Sequence, residues 1–358
     1  MGGEGKQPKS SAAEELLKRL DKGLVPDEEI RRLVRVEIAR RLKWGNKPTY
    51  EEQLAQVLHL VKSLKKMKLA KEIETLDTKL YEIPMAFLKL VFGKALKESS
   101  CYFKDESVTL DEAEIAMLDL CCERAQIQDG QTILDLGCGQ GPFTLHVAQK
   151  YKNCHVTAVT NSITQKDYIE EQCKNLQLSN VEVILEDVTK LETEATFDRI
   201  IAIGLLEHMK NFELFLRRVA KWMNHDSLLF VEHVCHKTLA YEYELIDDDD
   251  WYTDYMFPAG TFIMPSASLL LYFQEDVSVV DHWIFNGKNF GLAMEEWLKN
   301  LDSNMDEIKK ILESSTGSEE EAMKMIIHWR NSCMVGSQLF LYNDGEEWMG
   351  SHVVFKKK

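Results

Sequence analysis

The stretch Ile133–Gly141 reads I-L-D-L-G-C-G-Q-G, a short apolar run that ends in three alternating glycines. The apolar run is typical of a buried β-strand, and Thr144–Lys150 has the residue spacing of a helix. Glycines between a strand and a helix permit a sharp turn and let a ligand approach the backbone, where helix N–H groups face it. A purely structural turn would show the same glycines, so the pattern needs support from its surroundings.

Strands and helices alternate on the carboxyl side of the glycine turn. The sequence predicts strands at Gln131–Leu136, Cys154–Val159, Val181–Leu185, Phe197–Ile203 and Ser227–His233, with helices at Gln165–Leu176 and Phe212–Met223. This alternation indicates βαβ units and an α/β fold with a parallel sheet. Near the end of the sequence, the runs Gln338–Tyr342 and Trp348–Lys356 flank an Asn-Asp-Gly turn, which predicts a β-hairpin.

Charge and composition exclude several classes of protein. The 358 residues include 43 Lys and Arg against 59 Asp and Glu, which gives a formal net charge of -16. Such an acidic surface argues against nucleic acid as a partner. No apolar run approaches the roughly 18 residues of a membrane span, so no membrane partner is expected. The eight cysteines include no C-x-x-C pair, which predicts free thiols, no metal site and a cytoplasmic protein.

Two details restrict the ligand that the glycine turn would bind. The dinucleotide fingerprint needs Gly or Ala where this chain has Pro142, and it needs an acidic residue about 20 positions later. That later region reads Val159-Thr160-Asn161-Ser162. The phosphate-binding pattern G-x-x-x-x-G-K-[ST] does not occur in the sequence either. NAD and a phosphate loop are therefore disfavoured.

The remaining pattern resembles the class I S-adenosylmethionine-dependent methyltransferases, which have an acidic residue two positions before the first glycine, here Asp135 before Gly137. The resemblance implies a Rossmann-like sheet and S-adenosyl-L-methionine as cofactor, with S-adenosyl-L-homocysteine as product. In that family the acid pair after the third strand is here Glu186 and Asp187, and Asp187 would face the adenine amino group. The implied cofactor-binding residues are Ser100, Asp135, Gly137, Gly139, Thr160, Asn161, Gln165, Glu186, Asp187, Val188 and Ile203.

Longer matching segments resemble particular families within this class of methyltransferases. Ile203–Met209, Ser99–Phe103 and Asn331–Cys333 are similar to segments of cyclopropane fatty acid synthases. Matches to the plant benzylisoquinoline alkaloid N-methyltransferases cover nearly the whole chain, including Gln149–Thr157, Glu207–Asn211, Leu228–Thr238, Asp249–Tyr252, Tyr272–Trp283 and Trp348–Lys358. Tetrahydroprotoberberine and pavine N-methyltransferases resemble the chain more than coclaurine N-methyltransferase does.

The resemblance implies an organisation and an activity. It implies a helical N-terminal cap over residues 1–125, a cofactor-binding Rossmann-like core over 126–236, a helical substrate-binding insertion or lid over 237–330, and a hairpin over 331–358 that completes the core sheet. The implied activity is methylation of the ring nitrogen of a tetrahydroprotoberberine such as canadine or stylopine, with a quaternary product. The partner is then a small-molecule alkaloid amine, and the resemblance leaves room for a homodimer.

Residue roles follow from this chemistry. An ammonium has no lone pair, so a base must take its proton, and His208 with Glu207 after the fourth strand is the candidate pair. Cys333 matches the cysteine of the synthases and joins the catalytic candidates, although methyl transfer to an amine needs no thiol nucleophile. Aromatic faces attract cationic amines, so the candidate substrate-binding residues are Tyr81, Glu82, Trp251, Tyr252, Phe257, Phe290, His328 and Trp329. Each of these aromatic residues would also fit an ordinary core position.

Two departures from the related sequences keep alternatives open. Phe290 stands where the synthases have an aromatic hydroxyl, and Gly204 stands where many alkaloid enzymes have a second acid. The first departure disfavours a synthase-like lipid methyl or methylene transferase without excluding it. A coclaurine- or pavine-type alkaloid N-methyltransferase and a non-catalytic ligand-binding relative also remain as alternatives.

Overall fold

A seven-stranded mixed sheet organises the chain. The computed structural model describes residues 10–71, 83–105 and 107–358. Its strands are β1 (Thr132–Leu136), β2 (His155–Thr160), β3 (Val181–Leu185), β4 (Phe197–Ile203), β5 (Met223–His236), β6 (Tyr241–Glu242), β7 (Ile263–Met264), β8 (Val277–Phe285) and β9 (Trp348–Lys357). Strands β6 and β7 pair only with each other, and the other seven form the main sheet.

The strand order of the main sheet is β3-β2-β1-β4-β5-β9-β8. Strands β1 to β5 are parallel, and β9 runs antiparallel to both of its neighbours. The chain moves outward from β1 through β2 to β3 and then returns to the other side of β1 with β4. The glycine turn at the end of β1 therefore lies where the strand order reverses, which is where open α/β sheets bind ligands. The predicted α/β fold is confirmed.

Twelve α-helices surround the sheet in the part of the chain that the structure describes. They are α1 (Ser11–Asp21), α2 (Asp27–Gly45), α3 (Tyr50–Leu64), α4 (Met85–Val91), α5 (Leu110–Arg124), α6 (Pro142–Lys150), α7 (Ile163–Asn175), α8 (Phe212–Trp222), α9 (Trp251–Met256), α10 (Lys288–Ser303), α11 (Met305–Thr316) and α12 (Glu319–Leu341). Among residues 10–71, 83–105 and 107–358, none of these helices has the length and apolar character to span a bilayer.

The N-terminal helices and the helices near the C-terminus share one apolar core. Helix α12 packs against α10, α11 and α2, and buried side chains such as Ile38, Phe87, Trp297 and Met334 belong to this core. A second core lies between the sheet and helices such as α8, whose buried face includes Phe212. Segments that are distant in sequence thus form one helical layer beside the sheet.

The predicted C-terminal hairpin is wrong in its first half. Residues 338–341 form the last turn of α12, whereas Trp348–Lys357 is a strand as expected. Asn343 and Asp344 do adopt positive φ angles of 49° and 60°, so the turn signal was real, but the turn joins a helix to a strand. A short apolar run does not distinguish a strand from a buried helix segment, and here the helical layer decided between them.

The expected insertion over residues 237–330 contains a strand of the main sheet. Strand β8 forms the sheet edge and pairs with β9 from Val277 to Phe285, while β9 also pairs with β5. The last two strands therefore enter the sheet in reversed order, with the C-terminal strand inside and β8 outside. Nothing local in the sequence of β8 specifies this partner.

A buried ion pair joins the segment after α4 to the sheet. The Lys97 ammonium donates to Glu232 Oε1 at 2.9 Å, and the two side chains are 1% and 4% exposed. Glu232 Oε2 accepts from His352 Nε2 at 3.0 Å, while His352 Nδ1 accepts from Arg124 at 2.8 Å, so His352 is neutral with its proton on Nε2. Burial by itself raises the pKa of Glu232, but Lys97 and His352 outweigh it and lower that pKa to about 2.

Three side chains around Glu232 form a candidate metal site. Cys121, Glu232 and His352 present atoms close enough together to hold an ion. The positive charges of Lys97 and Arg124 already satisfy Glu232 and His352 from either side, and they would repel a metal cation.

Lys97→Met should lower the free energy of unfolding by about 3–5 kcal/mol, because it leaves the Glu232 carboxylate buried without its main counter-charge. A urea titration measures this loss. The control is Lys94→Met in the same segment, whose exposed ammonium pairs with Asp111 at 2.7 Å and should matter little. Equal midpoints for the two variants would contradict a stabilising role for the buried pair.

Candidate active site

An open cavity lies at the carboxyl ends of β1, β2, β3 and β4. Its volume is about 1600 Å³, including space open to solvent. Most of the residues that the resemblance assigned to the cofactor line this one cavity, although they come from four strands and the turns after them. They are Asp135, Gly137, Gly139, Thr160, Asn161, Gln165, Glu186, Asp187, Val188 and Ile203.

The glycine turn has a backbone conformation that other residues adopt only with strain. Gly137, Gly139 and Gly141 have φ angles of 69°, 55° and 78°, in the left-handed region that favours glycine. A Cβ added at Gly141 would lie 2.7 Å from Ile169 Cγ1, whereas one at Gly139 would meet no described atom within 4 Å. Gly139 thus faces open cavity space, and Gly141 allows α6 to pack closely against α7.

Asp135 lies beneath the turn with its carboxyl group almost fully buried. Thr144 on α6 donates a hydrogen bond to its Oδ2 at 2.7 Å, and burial raises the pKa of Asp135 to about 6. The hydrogen bond connects the end of β1 to the first turn of α6. Asp135 therefore both fixes the turn and offers a carboxyl group to the cavity.

The opposite end of the cavity is formed by residues after β2 and β3. Thr160 Oγ1 donates to Gln165 Oε1 at 2.5 Å, and Asp187 Oδ1 accepts from the backbone N–H and the hydroxyl of Thr189 at 2.7 and 2.8 Å. These hydrogen bonds orient polar side chains around the cavity. With the glycine turn and open space at one end and acidic groups after β3 at the other, the cavity fits the zwitterionic tail and the adenine base of S-adenosylmethionine.

Ser100 is the predicted cofactor residue that the structure does not bring to the cavity wall. It is buried, and its carbonyl oxygen accepts from the Lys97 ammonium at 2.8 Å. Sequence reasoning missed other lining residues, which come from the segments before β1, after β4 and before β7. They include Ala70, Lys71, Lys97, Glu98, Ser99, Leu205 and Thr261. The Ser99–Phe103 resemblance drew attention to one of these segments, but no pattern in the sequence indicated which side chains face the cavity.

Glu207 and His208 lie in a 3₁₀ turn, Leu206–His208, directly after β4. His208 lines the cavity and makes an edge-to-face contact with Phe262, with ring centroids 5.4 Å apart. Its ring is open to the cavity, yet the surrounding protein lowers its pKa, and the charge of Lys210 lowers it further. A lowered pKa keeps the imidazole neutral at neutral pH, so that it can accept a proton.

Glu207 points into the protein beside β5. Its Oε1 accepts from the Val234 backbone N–H at 2.8 Å, and its Oε2 is buried without a hydrogen-bond partner among the described residues. Burial raises the pKa of Glu207 to about 7. A carboxyl group that is partly protonated near neutral pH therefore adjoins, along the chain, a histidine that faces the cavity.

The remaining candidates lie in the helical layer, outside the lining of this cavity. Cys333 on α12 is 4% exposed, and burial raises the pKa of its thiol to about 12, which disfavours a thiolate nucleophile. Trp251 and Tyr252 are buried in the same core, and Phe290 and Trp329 pack against it. His328 is exposed, with its ring 5.3 Å from that of Tyr255. Tyr81 and Glu82 lie outside the described residues.

A line of aromatic rings leads from His208 into this helical layer. Phe262 contacts His208, Phe257 lies 4.9 Å from Phe262, and Tyr243 stacks on Phe257 at 3.9 Å between centroids. Of these rings only Phe257 was predicted, because Tyr243 and Phe262 belong to no recognisable pattern. The contacts place a flat aromatic surface next to the cavity histidine.

Gly139→Ala should weaken S-adenosylhomocysteine binding by about tenfold or more, because the new methyl group enters cavity space and the backbone must keep a left-handed φ. Isothermal titration calorimetry measures the affinity. The matched control is Gly317→Ala, since Gly317 ends α11 with a φ of 70° and also has no described atom near an added Cβ. The same loss of affinity in both variants would show that the effect is general strain.

Comparison with known proteins identifies the family of the chain. Residues 67–334 match the family model of mycolic acid cyclopropane synthetase. Pavine N-methyltransferase of Thalictrum flavum subsp. glaucum is 60% identical over 355 residues, which cover 99% of this chain and 100% of that protein. (S)-Tetrahydroprotoberberine N-methyltransferase of Eschscholzia californica is 51% identical over 348 residues, with 97% and 99% covered.

A solved structure extends the similarity to the whole fold. The crystal structure of coclaurine N-methyltransferase bound to N-methylheliamine and S-adenosylhomocysteine superposes with a TM-score of 0.95 and 62% identity, covering 97% of this chain and 100% of that one. The likeness extends over nearly the full length of both chains, so the fold is shared. The chain therefore belongs to the family of plant alkaloid N-methyltransferases, and it is an S-adenosylmethionine-dependent N-methyltransferase.

Proposed function

We propose that this enzyme methylates the ring nitrogen of a benzylisoquinoline-derived alkaloid. The observation that carries the proposal is His208, a neutral imidazole that faces the cofactor cavity and adjoins the aromatic surface of Phe262 and Phe257. A base, a methyl-donor cavity and flat rings are what the methylation of a cyclic aliphatic amine that carries aromatic rings requires. Each of them lies within one connected part of the structure.

The reaction depends mainly on positioning and on the protonation state of the amine. S-adenosylmethionine, when bound, supplies a methyl group on a sulfonium, which an unprotonated amine can take up by in-line displacement. The protein must hold the nitrogen on the axis of that displacement, and fixed geometry of this kind contributes several kcal/mol. It must also remove the proton that an alkaloid amine carries at neutral pH.

His208 is placed to accept this proton. Its lowered pKa means that the imidazole enters the reaction neutral, so a nitrogen lone pair is free. Glu207 lies next to it along the chain, and its carboxyl group, whose pKa is raised to about 7, can hold or share the proton behind the cavity wall. We assign His208 as the general base and Glu207 as the second member of the pair.

The aromatic line is suited to bind the alkaloid rings. Phe262, Phe257 and Tyr243 form contacts of 4.9 and 3.9 Å between centroids, and such faces attract a cationic amine by about 0.5–2 kcal/mol each. Trp251, Tyr252, Phe290 and Trp329 pack in the same core. Tightly packed rings must shift to admit a substrate between them, so we propose that the alkaloid approaches along the Phe262 side, beside His208.

The relatives support one group of alkaloids over another. The pavine and coclaurine enzymes are more similar to this chain than the tetrahydroprotoberberine enzyme is. We therefore place pavine- and coclaurine-type amines first and tetrahydroprotoberberines such as canadine and stylopine second. A synthase-like reaction on lipid is a weaker candidate, since Phe290 has no hydroxyl group to offer.

A substrate panel tests this order. The enzyme should convert pavine or coclaurine with a higher kcat/KM than canadine or stylopine, because its sequence is closer to enzymes named for the first two. Mass spectrometry identifies the products through a gain of one methyl group. An unsaturated phospholipid in the same assay tests the lipid alternative. Methylation of the lipid and of no amine would refute the proposed function.

His208→Ala and Glu207→Gln should each lower kcat by about 10²–10⁴, because a general base commonly contributes that factor. The affinity for S-adenosylhomocysteine should stay within about twofold, since Glu207 does not line the cavity and His208 lies beyond the glycine turn. His225→Ala is the control, because the side chain of His225 is 98% exposed. Wild-type turnover in both active-site variants would remove the pair from the chemistry.

A further inference from the structure

The segment after α4 presents one carboxyl group to the cavity. Lys97, Glu98 and Ser99 all line the cavity, but the Lys97 ammonium is turned into the protein, where it bonds to Glu232 Oε1 and the Ser100 carbonyl at 2.9 and 2.8 Å. It also contacts the Ser99 hydroxyl. The neighbouring Glu98 side chain remains open to the cavity.

Buried hydrogen bonds fix the position of Glu98. Glu114 is fully buried and accepts from the backbone N–H groups of Gly93, Ala95 and Lys97 at 3.1, 2.8 and 3.1 Å. The Lys97–Glu232 ion pair holds the next turn of the chain against β5. The Glu98 carboxyl group therefore reaches the cavity from a backbone that is anchored on both sides of Lys97.

Within residues 10–71, 83–105 and 107–358, Glu98 has no basic partner at ion-pair distance. Its Oε2 accepts a long hydrogen bond of 3.4 Å from Gln140 Nε2 of the glycine turn. The surrounding protein raises the pKa of Glu98 to about 7, although the side chain is open to the cavity. A ligand that fills the cavity would strip the remaining water from this carboxyl group, and a cation beside it would then stabilise its charged form.

We propose that Glu98 binds an ammonium group inside the cavity. The proposal rests on the proposed function, because both reactants of an alkaloid N-methylation carry such a group: the cofactor has the ammonium of its amino-acid tail, and the alkaloid has its protonated amine. The contact with Gln140 places Glu98 beside the glycine turn, where the tail of the cofactor is expected. The charge of Glu98 also helps to raise the pKa of Cys333 on α12, so Glu98 lies near the helical layer as well.

Glu98→Gln tests the proposal, because it removes the charge and keeps the shape and the contact with Gln140. Calorimetry compares S-adenosylhomocysteine, which has the ammonium tail, with 5′-methylthioadenosine, which lacks it, and kinetics give KM for the amine. We expect a loss of about ten- to hundredfold, the value of a charge-assisted hydrogen bond. A loss for S-adenosylhomocysteine but not for methylthioadenosine identifies the cofactor ammonium, and a rise in KM for the amine alone identifies the alkaloid ammonium.

Controls separate this role from a general loss of structure. Glu320→Gln removes an exposed carboxylate of α12 and should leave all three ligands within twofold of wild type. Glu98→Asp keeps the charge and should recover part of the affinity. The proposal fails if all three ligands bind Glu98→Gln as they bind wild type, or if the two adenosine ligands weaken equally. If wild type methylates no amine, the proposed function fails, and the comparison of the two adenosine ligands alone decides the role of Glu98.

Discussion

The left-handed backbone conformation at the end of β1 is the constraint on which the site depends. The turn requires positive φ angles at Gly137, Gly139 and Gly141, and at Gly141 it also leaves no room for a side chain against Ile169. Glycine is the residue that accepts both conditions without cost to the native state. Because β1 lies where the sheet reverses its strand order, this turn determines where the cavity lies and which strand ends surround it.

Some charged side chains near the cavity are buried in the protein, and their neighbours along the chain face the cavity. The basic group of Lys97 is paired inside the protein with Glu232, and Glu207 is buried beside Val234. His208 and Glu98 face the cavity. The buried pair is fully charged, since the pKa of Glu232 is lowered to about 2. The surrounding protein raises the pKa of Glu98 to about 7 and lowers that of His208, so it disfavours the charged form of both cavity-facing groups. At both places, a residue whose charged group is buried thus precedes one that faces the cavity.

The helical layer joins segments from the two ends of the sequence. Helices α2, α10, α11 and α12 share one core, and the rings of Tyr243, Phe257 and Phe262 connect that core to His208. Residues 243–262 therefore link the helical layer to the edge of the cavity.

The sequence by itself determined the order of strands and helices from β1 to β5 and the glycine turn, and its resemblance to known methyltransferases indicated ten residues that line one cavity. Those features depend on local spacing and on where parallel strands end, and both can be read from neighbouring residues. The tertiary structure decided the rest. Lys97 pairs with Glu232, which lies 135 positions later in the chain. Strand β9 inserts between β5 and β8. Residues 338–341 are helical because α12 packs in the helical layer. These outcomes depend on contacts between segments that are distant in sequence, and the pattern of neighbouring residues does not specify such contacts.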